Sequence, residues 1–416
     1  MRLLLLNQYF HPDVAASGQR FTDVAEALAE AHDVKAIVGR AAYGRGNEVG
    51  TLFGTEGAAK KSPDLVSRLR VTRVWSTSIS RQRTWGRLAN YLTYVVGATL
   101  LGLVSRRPDV VVAATDPPVV GLAALLVSRL RRAPLVYFLW DIHPEVTLAA
   151  GIMRPGLVTR FTAWANRLSL SRAAAVVTPT MAMGQTAVAL GADQSRVHVA
   201  PLWEDTDLVA PAPKDNPFSR RHGLVDRFVL MYSGNIGLTQ GLEGYVELAA
   251  RLKDLPGFAF VLVGDGADRP FVEARVRSLG LSSVVFLPYQ RRDEMRWSLA
   301  TADVLFAPNL SGLTRYMLPS KVYTFMASAR PFIAAIDPGS DLAAVIRRLD
   351  CGMVVAPDDP DALQRAVRHL HSNADVRAAM GQRGRQAAED EFSKAVGPIR
   401  YRQIVEQVFA RGGREP

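Results

Sequence analysis

Short apolar runs recur along the whole chain, each separated from the next by a segment whose apolar positions fall at helical spacing. Leu3–Leu6, Val34–Val38, Val110–Ala113, Leu135–Leu139 and Ala174–Val177 have the continuous apolar character of strands buried on both faces. Between them, Arg20–Glu30 and Leu122–Leu130 are amphipathic. A second series runs through Phe228–Tyr232, Phe258–Val263, Val284–Leu287, Val304–Ala307, Phe332–Ala335 and Met353–Val355. It too is interrupted by helical patterns, at Leu242–Leu252, Asp293–Ala300, Lys321–Ser328 and Asp361–Leu370. A parallel return needs a crossover helix, so the alternation predicts an α/β chain of two doubly wound, Rossmann-like domains. Pro201–His222 is proline-rich, polar and aperiodic, and reads as the linker. The expected division is residues 1–205, residues 206–395, and a closing helix over 396–416 that packs back towards the first domain. Open α/β sheets bind ligands at the carboxyl ends of their strands, which places the expected site in a cleft between the two domains.

Composition narrows the chemistry. Of 416 residues, 48% are apolar and 21% charged, enough apolar material for large cores. Lys and Arg outnumber Asp and Glu by 50 to 39, and the net charge of +11 favours an anionic partner. The single cysteine, Cys351, excludes an intramolecular disulfide and any cysteine-based metal cluster, and fits a reducing cytosol. The four-leucine run at Leu3–Leu6 is too short for a signal-peptide core, and no stretch reaches the roughly 20 apolar residues that cross a bilayer. The expectation is a cytoplasmic protein, soluble or peripheral at the inner face of the cell membrane.

One region sharpens the membrane alternative. From Leu65 to Pro108 there is no Asp or Glu, while arginines run from Arg68 to Arg107. Within it Trp85, Leu88, Leu92, Val96, Thr99 and Leu103 form one helical stripe, with Tyr91, Tyr94, Ala98 and Leu101 on the other side. Such a helix suits either an anionic membrane interface or burial between two layers. No aromatic-interleaved platform accompanies the charge, so no nucleic-acid partner is expected.

Four segments carry candidate chemistry. In NQYFHPDVAASGQRFTDVAEAL a strand gives way to a loop with Ser17 and Gly18, and a helix starts near Gln19. Free N–H groups and a glycine there suit either a phosphate or a plain turn. In MYSGNIGLTQGLE, Gly234, Asn235, Gly237 and Gly241 follow a strand and precede a helix, a tight turn aimed at the cleft. In LPSKVYTFMA, Pro319 starts a helix whose first turn holds Ser320 and Lys321. A cation is disfavoured at that helix end unless it shares an anion with the N–H groups; a solvated Lys on an exposed turn is the commoner alternative for such a residue alone. In LVYFLWDIHPEV, an apolar strand ends on Asp141, His143 and Glu145, which can move protons, orient a hydroxyl, or bind phosphate through a protonated histidine.

Taken together, these stretches resemble a retaining GT-B glycosyltransferase of family four. The resemblance is strongest to the bacterial branch that builds O-antigen, capsule and colanic-acid-type polysaccharides. RRPDVVVAATDPPVVGLAALL, FVLVGDGADR, VVFLPYQRRDEM and CGMVVAPDDPDAL complete an ordered set over nearly the whole chain. The resemblance implies a GT-B fold, a nucleotide-sugar donor held mainly by the C-terminal domain and an acceptor held mainly by the N-terminal one. Ser17 and Gly18 would approach the donor phosphates, and Asn235, Gly237 and Gln240 would line their other side. Gly264 and Asp265 would end a strand near the nucleotide, with Leu287, Pro288 and Tyr289 bordering the base. Ser320 and Lys321 match the P-S-K element that holds the pyrophosphate. Asp141 and His143 match a D-L-W-P-E segment, His143 standing in place of the usual Trp. No metal and no cofactor is implied beyond the donor itself; Lys321, N–H groups and helix dipoles would meet the diphosphate charge.

One departure concerns Thr324, which stands where that branch usually keeps a Glu gripping the donor ribose hydroxyls; a Thr hydroxyl is a weaker acceptor for two hydroxyls. Altered donor choice, replacement by another group and a crippled transferase compete, and altered donor handling suits the intact phosphate elements best. The expected activity is sugar transfer to a hydroxyl acceptor, with Lys321 stabilising the leaving phosphate and Asp141 and His143 positioning acceptor or sugar. The basic, apolar region suggests a polyprenyl diphosphate-linked acceptor in cell-surface polysaccharide synthesis. A soluble natural-product acceptor, a non-catalytic sugar-nucleotide-binding subunit and, lower, a nucleotide-sugar 2-epimerase remain as alternatives.

Overall fold

The computed structural model describes residues 1–13, 15–40, 68–77 and 84–412. By its internal contacts the chain divides into two compact units. The first comprises Met1–Glu145, Arg154–Pro201 and the segment from Gly397; the second comprises Val146–Met153 and Leu202–Val396.

The first unit is a seven-stranded sheet in the order β3-β2-β1-β4-β5-β6-β7. Its strands are β1 (Arg2–Asn7), β2 (Asp33–Val38), β3 (Leu69–Arg73), β4 (Val110–Ala113), β5 (Leu135–Phe138), β6 (Ala175–Thr178) and β7 (Val197–Val199). Every pairing is parallel. The five strands read from the sequence are present and, Lys35 of β2 apart, apolar at their centres as burial on both faces requires. The two edge strands escaped notice: β3 is half-exposed and carries arginines, and β7 has three residues.

Helix α1 (Ala16–Ala29) begins three residues before the expected Gln19 and packs on β1 and β2. On it lies the terminal helix Gly397–Gly412, whose Tyr401 closes an aromatic cluster with Phe138 and Trp140; Trp140 Nε1 donates to Tyr401 Oη at 3.2 Å. A separate layer holds α2 (Thr84–Val104), α3 (Val120–Arg131) and α4 (Leu157–Arg172), with α3 packed against both others. In α2 the buried face is Tyr94, Ala98 and Gly102, and Leu92, Val96, Leu100 and Val104 are exposed. Periodicity alone leaves open which side of this helix packs. Small residues decide it: a Cβ at Gly102 would lie 2.9 Å from Val127, so the smallest side chains face the neighbouring helix. Tyr94 turns inward because its hydroxyl reaches the Ile37 carbonyl at 2.9 Å. Leu65, Arg81 and Arg83 lie outside the described residues, as do the side chains of Trp85 and Arg87.

The second unit has a six-stranded parallel sheet in the order β10-β9-β8-β11-β12-β13. Its strands are β8 (Phe228–Ser233), β9 (Phe258–Val263), β10 (Val284–Leu287), β11 (Val304–Pro308), β12 (Phe332–Ala335) and β13 (Gly352–Val355). Strand order reverses between β8 and β11, as it does between β1 and β4 in the first unit, and crevices open at such switch points. The linker reading is corrected here. From Leu202 on, the segment is folded into the second unit, with Trp203 and Phe218 buried and a short helix at Pro217–Arg221. Asn216 caps that helix by accepting from Phe218 N and Ser219 N, a signal present in the sequence as Asn-Pro ahead of an aromatic. The expected helix over Leu242–Leu252 is divided at Val246 into Leu242–Tyr245 and Glu247–Arg251. Among the described residues no helix is long and apolar enough to cross a membrane.

Candidate functional site

In the second unit the carboxyl ends of β8, β9 and β10 meet the start of helix α5 (Lys321–Ala327). The backbone comes together tightly because three positions lack side chains. A Cβ at Gly264 (φ +145°) would lie 1.9 Å from the Gly234 carbonyl oxygen, and one at Gly266 would lie 2.2 Å from the Ile236 oxygen. A Cβ at Gly234 (φ +139°) would meet the Lys321 side chain at 2.3 Å. The lysine therefore lies across a bare backbone that only glycine supplies.

Lys321 Nζ donates to Tyr232 Oη at 2.8 Å and sits 4.5 Å from the centre of that ring. Among the described residues no carboxylate lies within ion-pair reach of it. Burial alone pushes its ammonium down to about 8. An ammonium packed on an aromatic face, without a counter-ion, at the start of a helix, is arranged to receive an anion.

The expected phosphate residues divide into two kinds. Asn235 is exposed beside this lysine, its carbonyl accepting from Tyr232 Oη. Gly237 and Gln240 instead shape the loop: Gln240 Oε1 accepts from Gly237 N at 3.1 Å, and its amide donates to Thr239 Oγ1. Gly264 closes the strand end and donates to the Leu287 carbonyl at 3.0 Å. Asp265 is exposed and turns back on the Gly266 N–H. Pro288 and Tyr289 are exposed just beyond β10. Ser320 caps α5 through its backbone, without a side-chain cap bond.

Thr324 lies one turn along α5 from Lys321, and its hydroxyl donates to the Glu204 carboxylate. Glu204 is held from both sides: its N–H donates to the Phe392 carbonyl at 2.9 Å and its carbonyl accepts from Lys394 N at 2.8 Å. A carboxylate thus stands beside the threonine after all, supplied by a segment 120 residues away. Sequence reasoning placed Glu204 in the linker, and spacing gave no signal for the pairing. It also missed Asn309, at the end of β11, which is 1% exposed with neither side-chain polar atom hydrogen-bonded. An unsatisfied buried amide at a switch point is a ready partner for a ligand.

Ser17, Gly18, Asp141 and His143 belong to the first unit. Ser17 lies in the opening turn of α1, half-buried. Gly18 is inside that helix, and a Cβ there would lie 2.8 Å from Tyr9 Cβ, so its missing side chain lets the helix approach Tyr9 and Phe10 closely. Asp141, just past β5, is held up to about 8 by burial, then by the nearby Asp116 carboxylate, against the opposing pull of Arg20. It is therefore a neutral acid at neutral pH. Burial pushes His143 down to about 4, which removes the protonated-histidine option for phosphate binding. Glu145 is raised by burial, and its Oε2 has no partner. Gln8 Oε1 and Thr115 Oγ1 are likewise buried and unsatisfied at the ends of β1 and β4. Arg20 and Asp116 were not singled out in the sequence, since each reads as an ordinary residue of a helix or turn.

Comparison with known proteins follows this geometry. Residues 16–203 match the family described as Glycosyl transferase 4-like domain, and residues 227–373 match Glycosyl transferases group 1. Over 387 residues the chain is 24% identical to WcaI of Escherichia coli (strain K12), a glycosyl transferase named for colanic acid biosynthesis, covering 88% of this chain and 91% of that one. It is 29% identical over 257 residues to the 2-deoxystreptamine glucosyltransferase of Streptomyces kanamyceticus, covering 60% and 64%. Among solved structures, HepE of Anabaena in complex with UDP superposes with a TM-score of 0.68 at 18% identity, with 100% of both chains covered. WaaG, a glycosyltransferase involved in lipopolysaccharide biosynthesis, gives 0.69 at 17%, covering 97% and 99%. The folds are therefore alike: two Rossmann-like units of the GT-B kind.

Proposed function

Because the chain belongs to the glycosyltransferases, with a 4-like domain followed by a group 1 domain, we propose that it moves a sugar from a nucleoside diphosphate sugar to a hydroxyl acceptor with retention at the anomeric carbon. The observation that carries this reading is Lys321, a half-buried, desolvated ammonium with no carboxylate partner among the described residues, at the ends of β8 and β9. A diphosphate leaving group gains negative charge as its bond to the sugar breaks, and a cation already desolvated stabilises that charge more than one in water. In the step, the anomeric carbon–phosphate oxygen bond breaks, the acceptor oxygen bonds that carbon, and the acceptor proton passes to the departing diphosphate. Asp141 suits such a mechanism as a hydrogen-bond donor to a sugar hydroxyl, because a carboxyl held near 8 is not an ionised nucleophile at neutral pH. Neutral His143 positions sugar or acceptor.

Glu204, carried to Thr324, supplies the carboxylate for a pair of ribose hydroxyls. This turns the Thr324 question towards replacement by another group and away from altered donor choice. We place Asn309 beside the same donor and Tyr289 at its base. The acceptor we propose is a lipid-linked glycan intermediate of cell-surface polysaccharide synthesis, following the likeness to WcaI. The likeness to the 2-deoxystreptamine glucosyltransferase keeps a soluble aminocyclitol as the second reading.

Thermal shift against uridine, guanosine, adenosine and thymidine diphosphates tests the donor half. A nucleotide at a hundredfold excess over its dissociation constant adds about 2.7 kcal/mol, and Lys321→Met should abolish the gain. If no nucleoside diphosphate raises the melting temperature, the reading fails. With a donor in hand, partition of the labelled product into butanol or water separates the two acceptors.

A further inference from the structure

The outer surface of the α2–α3–α4 layer is unlike the rest of the molecule. Along α2, Leu92, Val96, Leu100 and Val104 recur every fourth residue and are 50–80% exposed. On α4, Phe161 and Trp164 lie against each other with ring centres 5.7 Å apart and planes tilted by 34°, about half of each residue in solvent. Neither α2, α3 nor α4 contains an Asp or Glu. Arg106, Arg129, Arg132 and Arg160, on or next to these helices, are exposed, and none has an ion-pair partner among the described residues. In the second unit, by contrast, several exposed arginines are ion-paired: Arg220 with Asp215, Arg348 with Glu391, Arg368 with Asp254 and Arg383 with Asp350.

We propose that this layer is a docking face for the surface of an anionic phospholipid bilayer, with the aliphatic rows and the Phe161–Trp164 pair entering the headgroup boundary and the unpaired arginines meeting lipid phosphates. Charge complementarity selects this occupant. Three adjacent helices stripped of carboxylate would repel no anion, and an aromatic pair beside free guanidinium groups matches an interface that is apolar on one side and negatively charged on the other. Helices that only lie on the surface need no membrane-spanning length, in keeping with their dimensions. The sequence alone pointed to the 65–108 region. Packing withdraws Tyr94 and Ala98 from that surface, and brings in α3 and α4 from outside the region.

Co-sedimentation of the full chain with phosphatidylcholine vesicles, with and without phosphatidylglycerol, tests this. We expect binding to the phosphatidylglycerol vesicles that weakens with salt. Phe161→Ser/Trp164→Ser should weaken it more than tenfold, and Arg129→Glu/Arg160→Glu by roughly thirtyfold or more. Arg277→Glu in the second unit should leave it unchanged. Melting temperature and its nucleotide-induced shift, measured on each variant, separate this result from misfolding and from failure of the donor reading. Absence of sedimentation at low salt overturns the proposal, as does binding by both double variants that equals that of the parent. A monomer–dimer shift in the aromatic variant without vesicle binding overturns it too, in favour of contact between copies of the chain.

Discussion

At the scale of single residues, the proposed donor chemistry turns on charges whose surroundings have moved them. Lys321 must be an ammonium to hold a diphosphate, and burial has brought it down to about 8. Nucleoside diphosphate affinity should therefore fall as pH rises through about 8, and Lys321→Arg should push that limb upward out of range; calorimetric titration across the interval checks both. Asp141 behaves in the opposite sense. A carboxyl whose folded value is raised keeps its proton between about 4 and 8, where the unfolded chain has lost it. Its contribution to stability is thus lost as pH rises through that window. Asp141→Asn should melt progressively higher than the parent as pH approaches 8, and a constant gap would refute the assignment. At Glu204, Glu204→Gln should erase most of the preference for a ribo- over a 2′-deoxyribonucleoside diphosphate while leaving the folded unit intact, because the glutamine amide still reaches Thr324. Equal preference in parent and variant would remove the carboxylate from the donor site. Of these residues Lys321 and Asp141 were legible in the sequence, since a cation in a first helical turn and an acid after an apolar strand are local anomalies. Glu204 was not, because the contact with Thr324 exists only once two distant segments share a unit.

At the scale of elements, strands read well and helix faces less so. A parallel strand buried on both sides leaves an unbroken apolar run, so β1, β8 and β9 announce themselves. Helix α2 is apolar nearly all round, and periodicity could not say which side packs; Gly102 and Ala98 settled that by how closely α3 and the sheet approach. The glycines of the second unit show the same principle. The sequence marked Gly234 as a turn residue and the family resemblance put Gly264 at a strand end, and the structure adds that each faces another part of the backbone or Lys321 at a distance no Cβ tolerates. Gly264→Ala should cost roughly 2–4 kcal/mol, the sum of overpacking and a strained positive φ, read as a lowered denaturation midpoint of the second unit. A neutral effect would mean that the strand ends are looser than described.

At the scale of the whole molecule, each unit has its own sheet, its own switch point and its own set of unsatisfied polar groups. A nucleoside diphosphate should slow amide exchange at residues 233–241, 264–268 and 319–324, all in the second unit; protection elsewhere in that unit instead would relocate the site. The sequence by itself determined the two parallel α/β sheets and the glycine-bearing turns at strand ends, because strand burial, crossover helices and such turns are local in sequence and leave local marks. Only the tertiary structure decided which chain segments complete a unit, which carboxylate stands at Thr324, and which helical face stays in solvent. Those outcomes depend on side chains far apart in sequence meeting in space, where shape and desolvation, not local pattern, select the arrangement.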